Sequence, residues 1–491
     1  MFENAELGRK VDKATFAARE PELREALLDA QLRLKSAGFA TVVVIAGAEG
    51  AGKGETVNLL LSWLDARGVV THALGAPTEE ERLRPEFYRF WCRLPGHGQI
   101  GIFFGSWYTR PITEHSLGHL DDDALEQSLG RIVEFERMLA DEGVLLVKVW
   151  LHITRKQQRQ RFERLAADRD TAWRVTRRDW KFHRTYDQFI ASASRALRRT
   201  STGGAPWHIV EAWDARHRHL TVAEALLAAL EQRLAAPARP APAAEPLPAP
   251  APVNLLSALD LRQRVAPAGY RRDLAAGQLA VGRWARKLTA RERAAVLVFE
   301  GMDAAGKGGA IRRVTQALDA RFYEVVSIAA PSDEEKARPY LWRFWRHVPP
   351  VGHIAIFDRS WYGRVLVERI EGFCRPEDWR RAYAEINAFE QQLVEAGVTV
   401  LKFWLAISAE EQLRRFQARE ALGHKRYKIT PEDCRNRERW DAYVAAACEM
   451  VERTSTEIAP WTLVAAEDKS FARLKVLATV EAGLRAALRQ K

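Results

Sequence analysis

The sequence predicts an α/β fold written twice, each copy a parallel sheet flanked by helices. Three observations carry this. Short apolar, β-branched runs alternate with helical patterns, as a sheet covered on both faces requires. In each half a glycine-rich turn joins such a run to a helix start. The same short words also recur at one constant spacing of 254 residues.

That spacing aligns Gly47-Ala48-Glu49-Gly50-Ala51-Gly52-Lys53-Gly54 with Gly301-Met302-Asp303-Ala304-Ala305-Gly306-Lys307-Gly308. It also aligns Arg89-Phe90-Trp91 with Arg343-Phe344-Trp345, and Ser106-Trp107-Tyr108 with Ser360-Trp361-Tyr362. Phe135-Glu136 falls on Phe389-Glu390, Arg199-Thr200-Ser201-Thr202 on Arg453-Thr454-Ser455-Thr456, and Ala205-Pro206-Trp207 on Ala459-Pro460-Trp461. One register held across so many words marks duplication of a whole domain, not a short solenoid repeat. Residues 1–234 make the first copy and 254–491 the second. Residues 235–253, rich in Ala and Pro and nearly free of charge, read as a semi-extended linker.

In the second copy the strand-like runs are 294–299, 323–329, 353–358, 398–407 and 461–466. In a parallel sheet the ligand sits beyond the carboxyl ends of the strands. The glycine turn, Asp358 and the segment after 407 all fall there.

The turn itself is a phosphate cradle. Backbone N–H groups from Gly301 through Ala304, Ala305, Gly306, Lys307, Gly308 and Gly309 lead into a helix N-terminus, which favours anions. Gly301 and Gly306 allow backbone angles that a Cβ would block. Lys307 reaches phosphate as a point charge. Gly308 stands where a G-x-x-x-x-G-K loop usually has Ser or Thr, so a common metal ligand is missing and Asp303 is the substitute. The bland alternative, an ordinary tight turn, does not need the strand–turn–helix context seen here.

The run Ile356-Phe357 ends on Asp358, placed to hold a divalent ion directly or through water, and Arg359 can meet phosphate oxygens. The competing reading is an Asp that caps the next turn. Residues 411–433 carry Arg414, Arg415, Arg419, Lys425, Arg426 and Lys428. Two helical pieces about Gly423-His424 would form a basic lid, although a charge run is often just a solvated face.

The totals bound the function class. The chain has 491 residues and a formal net charge of +11. Residues 1–234 carry +2 of it and 255–491 carry +9, which points to an anionic partner for the second copy. No apolar run approaches a membrane span, and the first residues lack a signal-peptide layout, so a cytoplasmic location is expected. Cys92, Cys374, Cys434 and Cys448 show no metal spacing.

Together these motifs resemble the family-2 polyphosphate kinases over both halves. The family loop G-x-D-x-x-G-K-G is met by Gly301 to Gly308, and its D-R-S-W-Y motif by Asp358 to Tyr362. Its R-F-W word is Arg343 to Trp345, and its late A-P-W word is Ala459 to Trp461, followed by Asp468-Lys469 and Arg473. The resemblance implies tandem P-loop kinase-like domains with helical lids. It implies magnesium, with manganese as a substitute, and phosphoryl transfer between inorganic polyphosphate and a nucleotide. A tandem member implies a nucleoside monophosphate acceptor, AMP to ADP or GMP to GDP, in a reversible reaction. On that reading Lys307 and the loop amides hold the transferred phosphates. Asp303 and Asp358 anchor the metal, with Glu368 as a ligand to a metal-bound water or simply an exposed helix residue. Arg359 and Arg343 stabilise transition-state charge, and Arg415 and Arg419 close over the reacting groups. Lys425, Arg426 and Lys428 track the polyphosphate chain, and Asp433, Lys469 and Arg473 serve the nucleotide. Trp345 and Trp361 read as core aromatics ahead of base-stacking platforms.

The first copy departs at the decisive positions. Glu49 stands for Asp303, Phe104 for Asp358, Gly105 for Arg359, Ala215 for Lys469 and His219 for Arg473. Lys53, Arg89 and Glu114 remain. The expectation is a catalytic second copy and an inactive first one. The rival readings are polyphosphate-dependent ADP phosphorylation, an ATP-dependent nucleotide kinase, and a polyanion-binding scaffold. The expected partners are inorganic polyphosphate and AMP or ADP, with no nucleic acid and no membrane, and a homo-oligomer is left open.

Overall fold

The computed structural model describes residues 1–236, 255–421 and 431–489, the side chains of 431–434 excepted. Most of the linker, together with Lys425, Arg426 and Lys428, lies outside the described residues, as does the side chain of Asp433. Among the described residues no helix is long and apolar enough to cross a membrane.

The chain forms two compact units. The first comprises Met1–Pro77, Arg89–Ala238 and Pro331–Trp342; the second comprises Thr78–Tyr88, Arg239–Ala330 and Arg343–Lys491. Each unit therefore includes a short segment from the other half of the sequence. In the first, His97 N–H donates to Ala337 O at 2.8 Å. In the second, Val351 N–H donates to Leu83 O at 2.9 Å, the same bond moved by one repeat.

The first sheet contains β1 (Thr41–Gly47), β2 (Val69–Ala73), β3 (Ile100–Phe104), β4 (Leu145–His152) and β5 (Trp207–Glu211), in the order β2-β3-β1-β4-β5. The second contains β6 (Ala294–Gly301), β7 (Tyr323–Ser327), β8 (Ile354–Asp358), β9 (Val398–Ala406) and β10 (Trp461–Ala465), in the order β10-β9-β6-β8-β7. All pairings are parallel. The central strands are buried along nearly their whole length, which explains why they read as apolar runs and not as alternating ones. The registers match as well. Thr41 sits opposite Ile100 in one sheet and Ala295 opposite Ile354 in the other.

That register positions the site. β6 and β8 pair Phe299 with Asp358, so Asp358 ends its strand just before the glycine turn that starts at Gly301. The strand order changes direction about β6, which has β8 on one side and β9 on the other. This is the switch point where such sheets bind ligands.

The repeated words turn out to be one buried network per unit. In the second, Trp361 Nε1 and Tyr362 OH donate to Glu390 Oε1 at 3.0 and 2.6 Å. Lys402 Nζ donates to Glu390 Oε2 at 2.7 Å and to Thr454 O at 2.7 Å. Trp461 Nε1 closes the set on Thr454 Oγ1 at 2.9 Å. In the first unit Trp107, Tyr108, Glu136, Lys148, Thr200 and Trp207 repeat the arrangement. A buried charge pair persists only when its remaining polar atoms are satisfied, and here they are. Trp345 and Trp361 are fully buried, as core aromatics.

Candidate functional site

Two left-handed residues shape the site in the second unit. Ala304 has φ +62° and Arg359 has φ +64°. Their counterparts in the first unit are glycines, Gly50 at +78° and Gly105 at +82°. The second unit thus keeps side chains where the backbone would prefer none, a pattern associated with functional positions.

The glycine turn leads into helix Lys307–Thr315, and Gly306 at its N-cap adopts φ +110°. Lys307 Nζ folds back on Gly301 O at 2.6 Å. Arg359 Nη2 donates to Asp303 Oδ1 at 3.0 Å, and Asn436 Nδ2 donates to Asp303 Oδ2 at 2.7 Å. Tyr443 OH in turn donates to Asn436 Oδ1 at 2.9 Å. Burial would raise the Asp303 carboxyl. Lys307, Arg359 and the hydrogen bond from Asn436 outweigh it and hold the group below the usual aspartate range.

Sequence reasoning missed a third carboxylate. Glu300, the penultimate residue of β6, is buried and accepts from Ser360 Oγ at 2.8 Å. Burial pushes its carboxyl up, although Lys307, Ser360 and Arg359 pull the other way. The signal was a lone acid ending an otherwise apolar strand; its counterpart in the first unit is Ala46. Asn436 had no signal of its own. Its relation to Asp303 spans 133 residues.

Beside the turn lies a cavity of 260 Å³ lined by Ala304, Ala305, Gly306, Gly309, Ala310 and Ala472, and by the cations Arg414, Arg415, Arg419, Lys469 and Arg473. Burial and the neighbouring Arg415, Arg414 and Arg473 depress the Lys469 ammonium, with Glu411 opposing them. Crowded cations of this kind favour an anionic occupant.

Three of the expected site residues, Arg415, Glu368 and Arg343, have partners within the fold. Arg415 was expected to close over the reacting groups. Instead it is buried, and its guanidinium donates to Ala304 O and Ala305 O at 2.9 Å and to Ala466 O at 2.7 Å. It bolts the glycine turn to the end of β10. Glu368, expected at a metal-bound water or exposed, is half-buried and meets Arg364 Nε at 3.1 Å. Arg343 is also buried, with Nη2 on Ala329 O at 2.9 Å, behind the loop that follows β7. Arg419 lines the cavity half-buried, and Lys469 and Arg473 line its far side.

Among the described residues no group of three or more His, Cys, Asp or Glu side chains is arranged to hold a metal ion. Magnesium commonly takes only one or two carboxylates, with phosphate oxygens and water completing its shell. Asp303, whose carboxyl is held below the usual range, and Asp358 at the neighbouring strand end are carboxylates of the kind such an ion takes.

Comparison with known proteins gives consistent results. The family model described as polyphosphate kinase 2 matches residues 10–237 and again 264–491. A polyphosphate:AMP phosphotransferase from Pseudomonas aeruginosa is 52% identical, with 100% of both chains covered. One from Pseudomonas syringae pv. tomato is 49% identical over 99% of this chain and 98% of its own length. A GDP-polyphosphate phosphotransferase from Mycobacterium tuberculosis is 38% identical over 45% of this chain and 75% of its own. A crystal structure described as a polyphosphate kinase 2 from Pseudomonas aeruginosa superposes with a TM-score of 0.91 at 50% identity, covering 100% of each chain.

Proposed function

The chain belongs to the polyphosphate kinase 2 family, and from that premise we propose that its second unit transfers the terminal phosphoryl group of inorganic polyphosphate to AMP, giving ADP, in a reversible reaction. The observation that carries this is the cation-lined cavity at the glycine turn, whose wall includes Ala304, Ala305 and Gly306 of that turn. The acceptor follows from the relatives. Those matched along their full length are polyphosphate:AMP phosphotransferases. Relatives named for GDP and ADP match 45% and 37% of this chain.

In the reaction an AMP phosphate oxygen attacks the terminal phosphorus in line, and the leaving group is the polyphosphate chain shorter by one unit. No covalent enzyme intermediate is required, so the protein's task is positioning and charge neutralisation. The amides from Gly301 to Gly309 and Lys307 hold the phosphates next to the transferred group. Arg419, Lys469 and Arg473 face the cavity and balance the negative charge there. Arg415 is a positioning residue, because it fixes the turn through the carbonyls of Ala304 and Ala305. Arg359 is tethered by Asp303 and oriented to meet charge that develops at the reacting phosphoryl group. Asp303 and Asp358 would hold magnesium, which when bound supplies further charge neutralisation at the phosphates.

The deciding experiment is a donor and acceptor matrix with the purified full chain. AMP, GMP and ADP are each incubated with polyphosphate or ATP, and products are separated by ion exchange. ADP formed from AMP and polyphosphate is the expected result. Product only with ATP as donor would replace this reading with an ATP-dependent nucleotide kinase.

A further inference from the structure

Both units hold the backbone of the glycine turn in the same way, but not its carboxylate. Gln412 Nε2 donates to Asp303 O at 3.1 Å, and Gln158 Nε2 donates to Glu49 O at 2.9 Å. Beyond that bond the units differ. The Asp303 side chain is 12% exposed and has a donor on each oxygen, Arg359 on Oδ1 and Asn436 on Oδ2. The Glu49 side chain is 47% exposed and meets Lys53 Nζ at 3.2 Å.

Asn436 belongs to helix Pro431–Glu438, and Tyr443 to helix Trp440–Thr454. At the repeat spacing the first unit has Phe182 and Phe189 there. Phe182 lies under the Arg178 guanidinium, and Phe189 stacks on Trp150. Asp303, Asn436 and Tyr443 thus stand together in one unit and are all three replaced in the other.

Asn436 is not what docks its helix. Arg437 Nη1 donates to Ala409 O at 2.8 Å, and Arg439 Nη1 donates to Ile370 O at 2.6 Å. In the first unit His183 takes the place of Arg437 and meets Gln158 Oε1 at 2.7 Å, which ties helix Arg177–Arg184 down with a phenylalanine at the Asn436 position. The bond from Asn436 to Asp303 is therefore additional to the packing.

The chemistry gives the chain a direction. An ionised carboxylate only accepts, so the end of Asn436 that faces Asp303 is its NH2 group. That leaves Oδ1 towards Tyr443, whose O–H donates to it at 2.9 Å. Successive bonds of this kind polarise one another. The amide is neutral, so it fixes the carboxylate without cancelling its charge, and each carboxylate oxygen keeps a further lone pair.

We infer that Asn436 and Tyr443 are positioning residues: Tyr443 orients the Asn436 carboxamide, which holds the Asp303 carboxylate for phosphoryl transfer. This rests on the reaction assigned above.

A double-mutant cycle on the full chain tests it. Rates of AMP phosphorylation are measured for the parent, Asn436→Ala, Tyr443→Phe and the double variant. Asn436→Ala should lower kcat about 10-fold or more, the scale for a lost partner of a site carboxylate, while KM for AMP stays within about twofold. Tyr443→Phe should lower kcat about fivefold, the scale of one neutral hydrogen bond. The double variant should be no slower than Asn436→Ala alone, because Tyr443 acts only through the amide. Losses that multiply would overturn the inference. So would a normal kcat in a cooperatively melting Asn436→Ala, or a loss confined to KM. Should Asn436→Ala fail to fold, Tyr443→Phe decides, since it keeps the ring, and a normal kcat there would refute the chain. Every rate is also taken with ATP as donor. A parent active only with ATP would refute the polyphosphate reading, while the same cycle run with ATP would still uphold or overturn the positioning role.

Discussion

Arg359 reaches Asp303 with a 3.0 Å hydrogen bond from a backbone at φ +64°, whereas the first unit has Gly105 and Glu49 in the same places. A non-glycine residue in the left-handed region costs on the order of 1 kcal/mol. Arg359→Gly should therefore separate stability from activity. The second unit's urea midpoint should rise or hold steady. Turnover should fall roughly 10²-fold, the usual scale for one lost transition-state charge contact. Arg359→Lys should stay close to the glycine variant in rate, because an ammonium lacks the planar fork. A glycine variant with normal turnover would leave the guanidinium no role in the reaction.

The two carboxylates flanking this arginine should titrate with opposite sign. Asp303 is held below its ordinary range, so its contribution to stability is present above the unfolded value and is lost as pH falls. Glu300 is pushed up, chiefly by burial, so the folded state holds its proton longer than the unfolded state and stability falls as pH rises through that window. Thermal unfolding from roughly pH 3 to 8 should show this. The Tm advantage of the parent over Asp303→Asn should shrink towards acid pH. Its difference from Glu300→Gln should move against the parent towards neutral pH. Parallel pH slopes for the two variants would contradict the assignment.

The buried network makes a prediction about folding rather than catalysis. Glu390 and Lys402 are both buried, and none of the network residues lines the cavity. Lys402→Met leaves the Glu390 charge uncompensated and should cost about 3–5 kcal/mol in urea unfolding. Adding Glu390→Gln removes the stranded charge yet keeps an acceptor for Trp361 and Tyr362. It should recover about 1–3 kcal/mol. Activity per folded molecule should barely change. Lost activity at unchanged stability would instead place the network in the reaction.

Much of this was legible in the sequence because it is local. The runs at 294–299, 323–329, 353–358, 398–407 and 461–466 became β6 to β10 with ends displaced by a few residues. The glycine turn and Asp358 came to one end of the sheet, since strand register carries such positions along. The harder features depend on pairs distant in sequence. Ser-Trp-Tyr, Phe-Glu, Arg-Thr-Ser-Thr and Ala-Pro-Trp were visible as repeated words, but only packing shows that they share one buried ion pair. Arg415 and Arg419 look alike on paper. They share a helix face one turn apart, and that step along the axis leaves the first buried against the glycine turn and the second half-exposed at the cavity. Arg218 and Glu55 meet across 163 residues, and neither is unusual by itself.

The last prediction concerns division of labour between the copies. Asp358 ends β8 beside Phe299, whereas Phe104 ends β3, so only the second unit offers a carboxylate there for a divalent ion. Asp358→Asn removes one negative charge but keeps shape and hydrogen-bonding capacity, so the fold should be unaffected. Polyphosphate-dependent AMP phosphorylation should fall about 10²-fold or more, because charge neutralisation is most of what this chemistry asks of the protein. Raising magnesium should restore part of the rate if the defect lies in metal affinity. Lys53→Ala, made in the first unit, should lose less than roughly twofold, since Phe104 and Gly105 leave that turn without the carboxylate and guanidinium of the second unit. Steady-state rates for both variants at saturating AMP make the comparison. Equal losses would mean that the first turn takes part in turnover, and the single-site account would have to be given up.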